Sequence, residues 1–314
     1  MRLLGVELRR LFARRAVVVL MLLGTLAVAC VAAGVLYNNR PVSAADVAQA
    51  QQEADRQNQD SYIQRSLDRC VQRSGDQLRC EDRFLAKPEY FLYRPQLRLA
   101  DYRLWLVPMV AICAALALLV GATFVGGDFS SGSLGTQLLF QSNRWKLWAA
   151  KSAAVTLGAA VFTTVALTIA NGAIWLFARS WDRPIPDGLL GHAPTAGGRG
   201  VVFSAAAGLG GFALVLIARH TAAALGLIAL YGIAAEAVLR AVWPGSEHWL
   251  VSNHVVAFVG GTFKRVVYGS CDERGRCKDV IYRFTTGYSA VYLGLMLLVV
   301  LAASLVVFRR RDVA

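Results

Sequence analysis

Glu247, His248 and His254 are the residue types in this chain best suited to ligate a metal or run acid–base chemistry within one short stretch. Two histidines six positions apart do not share a helix face, and no further ligand adjoins them. The spacing therefore favours scattered interfacial histidines over a metal centre. Glu236 is an acid inside an apolar stretch, where an unpaired charge is costly and functional by default. Arg240 follows it at the i,i+4 spacing of a favourable helical pair, so a local ion pair is expected ahead of a proton relay. Thr163, Thr164 and Asn171 place polar groups inside another apolar stretch, where they would line a pathway or bond between helices. Of the six cysteines, Cys30 and Cys113 sit in apolar runs, while Cys70 with Cys80 and Cys271 with Cys277 form two close pairs in polar segments. Either pair falls short of a zinc ligand set, so disulfides Cys70–Cys80 and Cys271–Cys277 in an oxidising compartment are expected. No G-x-x-x-x-G-K-[ST] loop, nucleophile elbow, paired catalytic carboxylates or H-E-x-x-H occurs. The chain is thus expected to be no enzyme, with no metal and no cofactor of its own.

The elements that carry these residues are set by composition. A chain of 314 residues that is 56% apolar, with a mean hydropathy of +0.47, is too apolar for a soluble domain. Its apolar runs predict an all-α polytopic membrane protein, one domain over residues 1–314 with six transmembrane helices at about 16–37, 104–125, 153–177, 201–218, 221–239 and 288–308. The net charge of +13 invites a nucleic-acid reading, but the cations cluster at span ends and join no RNA- or DNA-binding motif, so no nucleic acid is expected. Arg2, Arg9, Arg10, Arg14, Arg15, Arg144, Lys146, Lys151, Arg219 and Arg309–Arg311 crowd beside spans on one side. By density this puts both termini in the cytoplasm. The excess of arginine over lysine suits a GC-rich bacterial genome, and the expected location is the bacterial plasma (inner) membrane.

Two polar inserts then lie outside. In the first, 38–103, Ser43 is expected to cap a helix running to Cys70, with a turn at Ser74-Gly75-Asp76. The aromatic group Tyr90, Phe91, Tyr93, Tyr102 and Trp105 reads as an interfacial belt. Residues 184–200 read as an irregular connection, and Gly208, Gly210 and Gly211 as a face open to close helix approach. In the second insert, 240–286, pieces that do not span precede a hairpin of Phe263–Ser270 and Asp279–Phe284 stapled by Cys271 and Cys277.

Between the second and third spans lies Gly126–Lys151, G-G-D-F-S-S-G-S-L-G-T-Q-L-L-F-Q-S-N-R-W-K-L-W-A-A-K. It is too polar to cross a bilayer. A helix from about Ser131 to Gln141 would put Leu134, Leu138 and Phe140 to one side, and Arg144, Trp145, Lys146, Trp148 and Lys151 mark a membrane surface. D-F-S-S-G-S-L, then an apolar turn, then S-N-R-W and a closing A-A-K, resembles the cytoplasmic loop of ABC-2 type exporter permeases. The positions that carry the resemblance are Asp128, Ser131, Gly132, Ser133, Leu134, Arg144 and Lys151, and the six-span layout extends it weakly along the chain.

The resemblance implies the membrane subunit of an ATP-driven exporter, working as a pair of permease chains (by default two copies of this one) with two copies of a separate P-loop ABC ATPase. ATP and magnesium would be bound by that partner. The cytoplasmic coupling helix would be worked by the ATPase, with Leu134, Leu138 and Phe140 seating it and Arg144, Trp145 and Lys151 holding its exit at lipid headgroups. Gly126-Gly127 and Gly132 would let the chain turn at each end. Two rivals remain: a non-transporting scaffold or sensor that binds a partner through its disulfide-bonded outer loops, and, with less support, a membrane enzyme using the outer His and Glu residues.

Overall fold

Residues 2–92, 102–181, 189–267 and 279–310 are described by a computed structural model. The N-terminal arginines do not run straight into the first span. Arg2–Ala13 (α1) is a helix of its own, and Arg14, with extended backbone angles, separates it from Arg15–Asn39 (α2). α1 is amphipathic: Glu7 and Leu11 are buried, while Val6 and Phe12 are exposed.

The first insert folds as four short helices, Ala44–Asn58 (α3), Ser61–Ser74 (α4), Gln77–Phe84 (α5) and Pro88–Phe91 (α6). Ser43 caps α3 in a capping box with Asp46. The single helix expected from Ser43 to Cys70 breaks at Gln59–Asp60. Asp60 caps α4 there, and the Asn58 amide exchanges two hydrogen bonds with the Ala86 backbone, at 2.7 and 3.0 Å. Gly75, at φ 65°, ends α4 and Asp76 caps α5, so the expected turn forms. It brings Cys70 and Cys80 into a disulfide with Cα atoms 5.8 Å apart. Tyr93 of the aromatic belt, and the Cys271–Cys277 pair, lie outside the described residues.

Arg103–Ser130 (α7) leads through Ser133–Phe140 (α8) to Arg144–Ser180 (α9) and then to Leu189–Ala218 (α10). A turn at Arg219, one of the few residues with positive φ, opens the fifth span. That span runs as Thr221–Ala229 (α11), a π-helical segment Leu230–Ala235 and Glu236–Val242 (α12). A 3₁₀ turn, Pro244–Trp249, precedes the short Val251–Gly260 (α13). Phe263–Val267 (β1) and Val280–Phe284 (β2) pair antiparallel, Phe263 opposite Phe284, before Thr286–Arg310 (α14).

Six stretches of 22 to 37 residues are long and apolar enough to cross a membrane, against the roughly 20 residues that a hydrocarbon core requires. The chain is an all-α multi-pass membrane protein with one small hairpin. Two boundaries differ from expectation. α9 takes in residues 144–152, read from sequence as loop, because Asn143 caps its start by accepting from the Lys146 N–H at 3.2 Å. The supposed irregular connection up to Gly200 is already helical from Leu189, and of its glycines Gly200 serves packing: a Cβ there would run into the Val110 side chain, whereas one on Gly191, Gly197 or Gly198 would meet nothing within 4 Å.

The tightest helix pair is α7 against α10. A Cβ on Gly121 would strike the Gly208 carbonyl, and one on Gly211 would strike the Leu118 carbonyl, so the two backbones touch where side chains are missing. Gly208 and Gly211 serve the close approach expected of them; Gly210 faces the Leu297 side chain instead. Buried apolar side chains gather at the two ends of the bundle. Leu11, Val17, Phe124, Leu134, Leu147, Phe212 and Phe308 form one group, and Val28, Trp105, Met109, Ile174 and Val259 are in the other. Hydrogen bonds from Arg14 to Thr123 and Phe124, and from Arg144 to Phe308 and Arg309, put α1, α8 and the end of α14 at the same end. α13 and the hairpin lie at the other, where the Tyr102 hydroxyl donates to the Gly260 carbonyl and Arg103 to that of Thr262.

Candidate functional site

At the α8 end, charges from four separate elements meet out of water. Asp128, in the last turn of α7, is fully buried. Its Oδ1 accepts from Arg14 Nη2 at 2.5 Å and from Ser133 Oγ at 3.0 Å, with Arg10 Nη2 3.8 Å away; its Oδ2 accepts from Lys151 Nζ at 2.6 Å. Lys151 Nζ also donates to Glu7 Oε2 at 2.9 Å, and Arg10 Nη1 to Glu7 Oε1 at 3.2 Å. Arg14 Nη1 turns to the carbonyls of Phe124 and Thr123, at 2.6 and 3.3 Å, capping nothing of its own helix. The Phe124 ring lies 5.0 Å from both the Arg14 guanidinium and the Lys151 ammonium. Three cations thus share two carboxylates, with carbonyls and a ring face meeting the remaining donors. Charges this far from water persist only when so completely partnered.

This cluster fixes the base of α8. Ser133, its first residue, is bonded to Asp128, and Gly132 between them takes φ 65°, a conformation that costs glycine little. Gly126 and Gly127 have a different task from the hinge expected of them. Both lie inside α7, where added Cβ atoms would strike Thr221 and Arg14, so they admit neighbours and do not bend the chain. Ser131 Oγ donates back to the Gly127 carbonyl at 2.7 Å, closing the end of α7.

The two sides of α8 are unlike. Leu134 is 1% exposed and sits in the core, with Leu138 partly buried against the same group. Leu139 and Phe140 stand 86% and 88% exposed. Leu134 is therefore no part of an outward seat, and Leu138 only marginally so. At 100° per residue Phe140 lies about 200° round the helix from Leu138, and the outward apolar pair is Leu139 with Phe140. Lys151 likewise is buried among carboxylates and does not reach lipid headgroups. Arg144 donates to the Phe308 and Arg309 carbonyls at 3.3 Å, tying the start of α9 to the last turn of α14. Trp145, half exposed, stacks on Trp148 at 5.4 Å, and Trp148 meets Phe212 edge-on.

A second polar cluster occupies the opposite end. The expected Glu236–Arg240 pair gives way to bonds with the segment that follows. Glu236 Oε1 accepts from the Ser252 N–H at 2.9 Å, capping α13 from another element, because Leu250 at its N-cap has no side chain to do so. Arg240 donates to Ser252 Oγ at 3.1 Å and pairs with Glu247 Oε1 at 3.4 Å, with Arg265 3.9 Å from the same oxygen. Asn253 donates to Glu247 Oε2 at 2.5 Å. Buried His254 places Nε2 2.9 Å from the His248 carbonyl, which can only accept, so Nε2 donates there, and Nδ1 lies 3.2 Å from Ser289 Oγ. Its ring stacks on Tyr292 with centroids 4.0 Å apart. Glu247 and His254 are both buried but keep separate partners, Glu247 with Arg240, Arg265 and Asn253, and His254 with the His248 carbonyl and Ser289. Among the described residues no three or more His, Cys, Asp or Glu converge as a metal site.

Of the polar residues in the third span, Thr164 and Asn171 line a cavity of about 650 Å³ between α9 and α10, while Thr163 is buried against Cys113. Glu7, Arg10 and Arg14 were missed as site residues because the N-terminal stretch reads as a uniformly basic head. The lone acid Glu7 among arginines was the available signal. Comparison with family models, with curated proteins and with solved structures returned no match.

Proposed function

We propose that this chain is the permease subunit of an ATP-driven exporter, similar to ABC-2 type permeases and worked by a separate ATPase through α8. The observation that carries the reading is a short helix with a buried, ion-clamped base and an exposed apolar tip. Leu139 and Phe140 face away from the chain, and an exposed apolar pair on a rigid mount is what a partner protein's cleft receives. Asp128, Ser133 and Lys151 join the base of α8 to the ends of α7 and α9, so displacing α8 tilts two spans together. Nucleotide-driven closure in one subunit reaches a distant part of another through elements that take two arrangements, and α8 would be that element here.

In this reading α8 and both termini are cytoplasmic, in a bacterial plasma membrane, and the inserts lie outside, where the Cys70–Cys80 disulfide is stable. Two permease chains and two P-loop ATPases make the working complex. ATP and magnesium belong to the ATPase, and this chain performs no catalysis. The test is ATP hydrolysis by the purified complex carrying Phe140→Asp or Leu139→Asp. Uncoupled hydrolysis or loss of the ATPase, with membrane insertion intact, supports the reading; an ATPase that stays bound and hydrolyses ATP in both variants as in the unsubstituted complex defeats it. The scaffold or sensor alternative draws on the disulfide-stapled insert and predicts that α8 tolerates these changes.

A further inference from the structure

The β1–β2 hairpin, at the end of the bundle opposite α8, has two unlike faces. Strand alternation puts Phe263, Arg265, Tyr282 and Phe284 on one side, and Lys264, Val266, Ile281 and Arg283 on the other. The first side is occupied. Phe284 is fully buried beside the rings of His248 and His254, Tyr282 meets His248 edge-on at 4.9 Å, and Arg265 lies 3.9 Å from Glu247.

On the second side Lys264 stands directly opposite Arg283, and Val266 opposite Ile281. Like charges facing each other across a strand pair are destabilising. Nothing within the chain relieves them: both side chains are exposed, and among the described residues neither has a hydrogen bond or an ion pair. Neither strand carries an acid. Next to the cations, Val266 and Ile281 are 41% and 57% exposed. Two unneutralised cations beside two bare apolar side chains call for an anion and an apolar cover together. A phosphate layer over acyl chains supplies both.

The feet of the hairpin set its depth. Arg103, the first residue of α7, donates to the Thr262 carbonyl at 3.0 Å, just ahead of β1. Phe284 ends β2 two positions before Thr286, where the α14 span begins. Trp249 and Tyr288 are exposed at this level, and the Trp249 carbonyl accepts from the Tyr292 hydroxyl, one turn further along α14. Such aromatics mark the headgroup region. Lys264 and Arg283 stand one residue from the Phe263–Phe284 pair at the feet, a rise of about 3.4 Å. They therefore lie at the depth of lipid phosphates.

We infer that Lys264 and Arg283 together hold the phosphate of an anionic phospholipid in the leaflet at this end, with Val266 and Ile281 laid against its glycerol and upper acyl region. The hairpin is then a membrane-surface anchor, whether or not the chain transports anything.

The experiment places a benzophenone photocrosslinker at Ile281 of the full chain, reconstituted in vesicles of equal parts phosphatidylglycerol and phosphatidylcholine. After irradiation the adducts are identified by mass, which separates either lipid from a protein. Lipid adducts are expected, with phosphatidylglycerol captured about fivefold over phosphatidylcholine, the factor for one cation at an anionic surface. Arg283→Glu gives Lys264 a cross-strand partner, so it should abolish that preference without lowering the thermal midpoint. If the midpoint does fall, Lys264→Gln with Arg283→Gln serves instead, with the same expected loss of preference. Lys264→Arg should retain it. Capture of a second copy of the chain overturns the proposal, as does an absence of adducts or a preference that survives removal of the pair. Inorganic phosphate added at constant ionic strength should leave the preference intact. If it erases the preference, the pair takes a free anion and the lipid assignment fails.

Discussion

The bundle has charged clusters at both ends, and they are built for opposite ends. At the α8 end, Asp128 and Lys151 are almost entirely out of water, and their partners come from positions 114 and 144 residues away. At the other end, Glu247 is as deeply buried, but Arg240 and Arg265 are 38% and 44% exposed and all three belong to one short stretch of chain. The first cluster ties four elements together and leaves an apolar tip standing free. The second closes the 236–265 segment on itself and caps α13. A clamp that joins distant elements ties them into one unit, as the proposed coupling through α8 requires, whereas a clamp within one segment only holds that segment's shape.

Removing a carboxylate at each end breaks or sharpens this contrast. Asp128→Ala should cost the most, about 3–5 kcal/mol, because it leaves Lys151 charged and buried with Glu7 as its remaining carboxylate, while Arg14 is partly exposed and keeps its carbonyl partners. The check is the thermal midpoint of the detergent-solubilised chain. Asp128→Leu with Lys151→Met should recover much of the loss, since well-packed apolar residues often replace a buried pair at little cost. Leu134→Ala comes next, at about 2–5 kcal/mol for a fully buried leucine, read from the same melt. Glu247→Ala should cost less, about 1–2 kcal/mol, because its arginines are already partly solvated and the main loss is the bond from buried Asn253. If Glu247→Ala proves as damaging as Asp128→Ala, the contrast between the two ends fails. Smallest is Phe140→Asp, within about 0.5 kcal/mol for so exposed a site, while abolishing the association proposed for α8.

How far was this legible beforehand? The spans were, since runs such as Leu104–Val125 and Tyr288–Phe308 are uniformly apolar and leave few alternatives. So were the Cys70–Cys80 hairpin, with its capping residues and turn glycine adjacent in sequence, and the strands around residues 263–284. What escaped was whatever depends on a distant partner. Asp128 and Lys151 could be singled out by resemblance, but nothing local says that Glu7 and Arg14 fold back onto them. The side of α8 that faces out was misjudged partly against the spacing itself, since Phe140 lies about 200° from Leu138 and the two cannot share a face; that the Leu134 side is the covered one depends on the packing of distant elements and is not local. Arg240 illustrates the limit of local rules, because an i,i+4 partner lost to an acid presented by the next segment.

The central claim is that the α8 tip faces the cytoplasm, where another protein can grip it. The direct test is a Phe140→Cys variant in intact cells, treated with a membrane-impermeant maleimide beside a Tyr62→Cys variant in the insert and the unsubstituted chain as background. The account predicts that Tyr62→Cys reacts at once and Phe140→Cys only after the membrane is permeabilised. Reaction of Phe140→Cys in intact cells, at a rate like that of Tyr62→Cys, would contradict it.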